Sequence, residues 1–184
     1  PGLVKVELAG LTMSEVAVAR LVRFLEHSDN FVRWYAVYAL GKIGSETAIE
    51  KLIILLEDSD ELVRNNAVNV LGQIGSEKAI EQFLQDSNWT VRISAANALG
   101  KIGSQKAIEG LILLLQDSHP FVRISAANAL GKIGSQKAIE GLIPLLQNSD
   151  SFVRENAADA LGKIGSQKAI EGLIPLLQDS DYSV

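Results

Sequence analysis

Two patterns of apolar positions alternate along the chain. The first, as in residues 135–147, reads SQKAIEGLIPLLQ and places apolar side chains at Ala138, Ile139, Leu142, Ile143, Leu145 and Leu146. Those offsets predict a helix with one broad apolar face. The second, as in residues 121–133, reads FVRISAANALGKI; Val122, Ala126, Ala129, Leu130 and Ile133 fall at i, i+4, i+7, i+8 and i+11, which is a single helical stripe. The serine opening the first pattern is placed to cap its N-terminus. The glycine after the last isoleucine of the second is placed to end it. Short polar turns join the two: Asp58-Ser59-Asp60, Asp86-Ser87-Asn88, Asp117-Ser118-His119 and Asn148-Ser149-Asp150. Pro120 sits where a first helical position tolerates it, whereas Pro144 and Pro175 lie inside the first pattern and are expected to bend it.

The patterns recur with a fixed beat, which is the signature of a repeat architecture. Ile-Gly-Ser returns at Ile43, Ile74, Ile102, Ile133 and Ile164, spaced by 31, 28, 31 and 31 residues. Val-Arg keeps time at Val32, Val63, Val91, Val122 and Val153. Segment 92–112 is identical to 123–143, and 131–147 is identical to 162–178. The reading is five helix pairs, 14–43, 45–74, 76–102, 104–133 and 135–164, with a partial unit at 166–184. That makes eleven helices and no sheet. Residues 1–13 fit no unit and are expected to be a leader, linker or cap. The start at Pro1 and the stop inside a new unit at Tyr182-Ser183-Val184 suggest a piece of a longer protein. The third unit lacks three residues between Ile80 and Val91, so its first helix should be short, with Phe83 and Trp89 filling the gap.

Composition narrows the class. The chain is 47% hydrophobic but only 5% aromatic, so its core is aliphatic, which suits many thin layers. The net charge is −5, with 22 acidic against 17 basic residues and no basic block, which argues against a nucleic-acid binder. There is no cysteine, hence no disulfide or thiolate chemistry, and a cytoplasmic location is expected. No signal peptide and no apolar run approaching ~20 residues suggests a membrane.

The proline within the first helix, the aspartate in the turn, the Val-Arg start of the second helix and its Ala-Leu-Gly-x-Ile-Gly ending resemble the HEAT repeat, in particular the short HEAT-like units of phycobilisome lyases. The resemblance covers residues 14–184. It implies an all-α, right-handed α-α superhelix whose second helices line a concave groove. It is specific for fold and weakly specific for function. Members of the family include bilin lyase subunits, deoxyhypusine hydroxylase, scaffolds and arrays attached to NTPase domains. The hydroxylase needs repeated His-Glu pairs for iron. The two histidines here, His27 and His119, lie in turns without such pairs, so that activity is not carried over.

On the second helix, positions two, three, six and ten residues after the valine point away from the core stripe. They are Trp34, Tyr35, Tyr38 and Lys42 in the first unit; Asn65, Asn66, Asn69 and Gln73 in the second; Ile93, Ser94, Asn97 and Lys101 in the third; Ile124, Ser125, Asn128 and Lys132 in the fourth; Glu155, Asn156, Asp159 and Lys163 in the fifth. A column of asparagines could hold an extended peptide, since a carboxamide donates and accepts at once; the competing reading is a small, soluble surface residue. The three aromatics mark a contact site, unless residues 1–13 or a further domain cover them. The recurring arginines are expected to pair with the turn aspartates, a carboxylate geometry that suits their fork.

Metal-ligand spacing, a phosphate-cradling loop and a nucleophilic triad are all missing, so neither catalysis nor a cofactor is expected. The function indicated is a protein- or peptide-binding scaffold, such as the recognition arm of a larger signalling or NTPase protein, with no nucleic-acid or membrane partner. The alternative is a bilin lyase subunit. Self-association is expected through the last helix, whose Ile170, Leu173, Ile174 and Leu177 have no following unit to cover them.

Overall fold

A computed structural model describes residues 13–178; the leader up to residue 12 and the final residues 179–184 lie outside the described residues, as do the side chains of Leu56, Lys78, Leu177 and Gln178. Among the described residues there are eleven α-helices and no strand. The even-numbered helices are the second helices of the five units: α2 (Asn30–Ile43), α4 (Glu61–Ile74), α6 (Trp89–Ile102), α8 (Pro120–Ile133) and α10 (Ser151–Ile164). The odd-numbered ones are the first helices: α1 (Met13–Leu21), α3 (Glu46–Ile53), α5 (Glu77–Glu81), α7 (Gln105–Leu114), α9 (Ile139–Leu142) and α11 (Gln167–Leu173). No helix is long and apolar enough to cross a membrane.

Each second helix ends at a glycine with positive φ, from 61° at Gly44 to 81° at Gly75, a conformation that a Cβ would strain. Its apolar stripe is buried unit after unit, as at Val63, Ala67 and Leu71 or Val122, Ala126 and Leu130. The first helices bury their matching face, Ala107, Leu111 and Leu114 in α7 for example. The second helices form one layer and pack chiefly on each other. The glycine of Ala-Leu-Gly makes that packing close: a Cβ on Gly72 would lie 2.6 Å from Ala98 Cβ, and one on Gly131 would lie 2.8 Å from Ala160 Cα.

The predicted arginine pairing is present and runs between units. Arg33 donates to both oxygens of Asp58 at 2.8 and 2.9 Å. Arg64 reaches Asp86 and Arg92 reaches Asp117 in the same way. Each arginine also donates to the carbonyl of its own turn, as Arg92 does to Asp86 O at 2.6 Å. The aspartate in turn closes its turn, Asp117 Oδ1 accepting the His119 N–H at 2.8 Å. Burial pushes the Asp117 carboxyl up, but the bonds from Arg92 and from the His119 N–H outweigh it and leave the group below its ordinary value. Hydrogen bonding to Asp117 raises Arg92 correspondingly.

Three expectations need correction. The first helices do wind into 3-10 segments at Pro144 and Pro175, over Ile143–Gln147 and Ile174–Gln178, but Ile54–Glu57 and Gln82–Gln85 do so without proline. Tightening of a last turn, common at helix ends, is therefore a property of the site rather than of the proline alone. Second, the serine cap forms at Ser45, Ser104 and Ser166 but not at Ser76 or Ser135. At Ser135 the next residues form a 3-10 turn, and Ala138 N–H donates to the Ser135 carbonyl instead of the hydroxyl. Third, the shortened unit is as expected in length, α5 and its 3-10 tail spanning Glu77–Gln85, and Phe83 is fully buried there. Trp89 does not fill the gap. It stacks on His119 at 4.2 Å on the surface. The missing residues instead leave a cleft of about 500 Å³ beside α7, lined by Leu84, Lys106 and Leu113 among others.

Candidate binding face

The second helices carry all the side chains singled out from sequence on one layer, and none of them is fully buried. They divide by how much of each remains free. Lys42, Gln73, Lys101, Lys132 and Lys163 form an exposed row near the helix C-termini. Lys42 lies over the Tyr38 ring at 5.2 Å, and Lys163 is paired with Asp159. Along α2, Trp34, Tyr38 and Lys42 follow each other a turn apart, with the Trp34 and Tyr38 rings nearly parallel at 6.1 Å. Tyr35 meets Trp34 edge-on at 5.2 Å. Tyr35 and Tyr38 are 66% and 46% exposed, but Trp34 is half-buried and rests on the core, as do Ile93 and Ile124. These three are therefore not wholly on the outward face, because large side chains fold back over the stripe beside them.

The asparagines are also partly engaged. Asn65 donates to Thr90 Oγ1 and accepts from Ser94 Oγ at 2.7 Å, bridging α4 to α6. Asn66 Nδ2 donates to the Trp34 carbonyl at 2.9 Å. Asn128 donates to Asn156 Oδ1, since unit five carries an amide where units three and four carry the shorter Ser94 and Ser125. Among the described residues Asn69 and Asn97 make no side-chain hydrogen bond. Glu155 is exposed at the far end of the layer.

Between α2 and α4 these side chains enclose a cavity of about 390 Å³, walled by Phe31, Trp34 and Tyr35 on one side and by Asp60, Asn66 and Asn69 on the other. Phe31 was not among the residues read from sequence. It belongs to a further exposed row, Phe31, Leu62, Phe121 and Phe152, at the start of the second helices. The signal was available: a large apolar residue precedes four of the five Val-Arg pairs, off the buried stripe. No group of acidic, histidine or cysteine side chains able to hold a metal occurs among the described residues.

A family profile of HEAT repeats matches the chain in overlapping stretches, 6–61, 18–83, 49–120, 79–150 and 108–184. The chain belongs to the HEAT-repeat family. No curated protein matches it in sequence. Among solved structures, the HEAT array is similar to the complex of CpcE and CpcF of phycocyanin lyase from Nostoc sp. PCC7120, with 28% identity and a TM-score of 0.62 over 93% of this chain and 72% of that one. An engineered protein shares 27% identity at a TM-score of 0.59, covering 91% and 93% of the two chains. A designed armadillo repeat protein in complex with the peptide (KR)4 matches at 22% identity and a TM-score of 0.61, over 90% of this chain and 93% of that one, which is a likeness of fold.

Proposed function

We propose that the second-helix layer is a groove that holds a segment of another protein, and that the array is a non-catalytic scaffold. The observation that carries this reading is the pair Trp34 and Tyr35 at an open cavity, with Tyr38 stacked beside Trp34, on the layer where successive units vary most. Aromatic anchors commonly carry much of an interface's binding energy. Asn69 and Asn97 supply free carboxamides along the same face. Lys101 and Lys132 add local positive charge, favouring acidic residues opposite units three and four and making binding weaken with salt.

The test starts from partners captured by the intact chain and identified by mass spectrometry. Trp34→Ala with Tyr38→Ala should weaken binding to such a partner by about 2 kcal/mol or more. Lys106→Ala with Glu109→Ala on the opposite layer should leave it nearly unchanged, because both groups sit in exposed ion pairs, with Glu81 and Lys137. Equal or reversed effects would place the binding surface elsewhere.

A second reading, a subunit of a bilin lyase, is supported by the likeness to the CpcE–CpcF complex. Mixing the chain with bilin and an apo-phycobiliprotein distinguishes the two. A shift in the bilin absorbance that depends on this chain favours the lyase.

A further inference from the structure

We infer that the cavity between α2 and α4 is a receptor for a guanidinium group, the end of an arginine side chain. The proposal rests on the groove reading only for the source of that side chain, an arginine in the bound segment. Three features define the ligand. The first is charge. Asp60 caps α4, its Oδ1 accepting from the N–H groups of Leu62 and Val63 at 2.9 and 3.3 Å, while its Oδ2 accepts from Asn30 Nδ2. All three donors are neutral. Arg33, the neighbouring cation, is committed to Asp58 through two hydrogen bonds. No arginine or lysine among the described residues forms an ion pair with Asp60; Arg33 acts on it only through space, so the cavity contains a carboxylate without a bonded cation. The Asn30 bond holds that carboxyl below its ordinary value, so it stays ionised.

The second feature is an excess of acceptors. Asn66 gives its donor to the Trp34 carbonyl and keeps its Oδ1 free, and Asn69 makes no side-chain bond. A ligand that only donates, such as guanidinium with five N–H groups, matches this set. The third is the aromatic wall. Ring faces attract cations, and α2 already shows it with Lys42 over Tyr38. An apolar side chain would desolvate the carboxylate and the amides while leaving their remaining lone pairs without a donor. An anion would be repelled. An ammonium would satisfy the charge, but a planar guanidinium can also stack on a ring and bond through its fork. The site occurs once among the five units, because the places of Trp34 and Tyr35 are taken elsewhere by Asn65 and Asn66, Ile93 and Ser94, Ile124 and Ser125, and Glu155 and Asn156. A single arginine would therefore fix the register of a segment whose remainder lies along units three to five.

The experiment titrates the full chain with N-acetyl-arginine amide, with the citrulline analogue (its neutral isostere) and with N-acetyl-leucine amide, following the indole N–H signals by NMR. The chain has two tryptophans, so Trp34 and Trp89 are assigned by replacing either with phenylalanine. The arginine probe should shift the Trp34 signal saturably and leave Trp89 unmoved. Citrulline should bind about tenfold more weakly, and Asp60→Asn should weaken arginine by a similar factor. Asn88 caps α6 at the equivalent place, so asparagine is compatible with the fold there, and an unchanged melting temperature confirms it. Failure of arginine to saturate, equal binding of citrulline or leucine, equal shifts at Trp89, or indifference to Asp60→Asn would each overturn the proposal. If that happens while Trp34→Ala with Tyr38→Ala still weakens a captured partner, the groove stands and only the guanidinium receptor falls.

Discussion

Asn148 holds the position that Asp58, Asp86 and Asp117 hold in the preceding turns, and it changes what the facing arginine can do. Arg123 still donates to the Asp117 and Ser118 carbonyls, but its bond to Asn148 Oδ1 is long at 3.5 Å, and its buried Nε has no partner. A carboxylate there would restore the two-pronged pair found at units one to three, a stronger bond than one to a neutral amide. Asn148→Asp is therefore expected to stabilise the chain by about 1 kcal/mol and to raise its melting temperature by roughly 2–4 °C; no gain in thermal unfolding would mean that the arginine is already satisfied. The reverse change, Asp117→Asn, removes the mostly buried charge facing Arg92 and should lower the melting temperature. At this scale the sequence showed which residue types recur but not their partners. Nothing in it told that Asn65 bridges to Ser94 or that Asn128 is taken by Asn156, because those contacts depend on the offset between stacked helices.

Helices were more legible than contacts, since a repeated apolar stripe fixes where each begins and which way it faces. All five second helices lie where the pattern put them, each ending at its glycine. The winding of the first helices was not legible, because residues with and without proline take the same 3-10 ending. A second role of glycine also escaped the pattern. Gly131 is tightly apposed to the backbone of Ala160, whereas Gly162, at the same place in the last described pair, has no atom within 4 Å of a Cβ position. Gly131→Ala should thus cost about 1–3 kcal/mol through overpacking. Gly162→Ala should gain up to about 1 kcal/mol from helix propensity. Chemical denaturation of the two variants separates them; equal effects would show that close approach is not what the glycine serves.

For the molecule as a whole, every unit buries its apolar face mainly against its neighbours, so stability is a sum of local terms. The last first-helix, α11, leaves Ile170 and Ile174 exposed where α7 and α9 bury the equivalent faces against a following unit. In this chain the sedimentation coefficient is expected to rise with concentration, and Ile170→Asp with Ile174→Asp should remove that rise. A flat profile for the unaltered chain would count against association at this end. The ladder of ion pairs adds a direction to the stack, because Arg33, Arg64 and Arg92 each reach forward to the next unit's turn. A block of 31 residues from Asp86 to Gln116 therefore carries both a socket for the unit before it, Asp86, and a plug for the unit after it, Arg92. Duplicated in place, such a block would meet the same neighbours it already has. The length of the array could then vary without any new interface having to be invented, and the face presented to a partner would lengthen in equal steps.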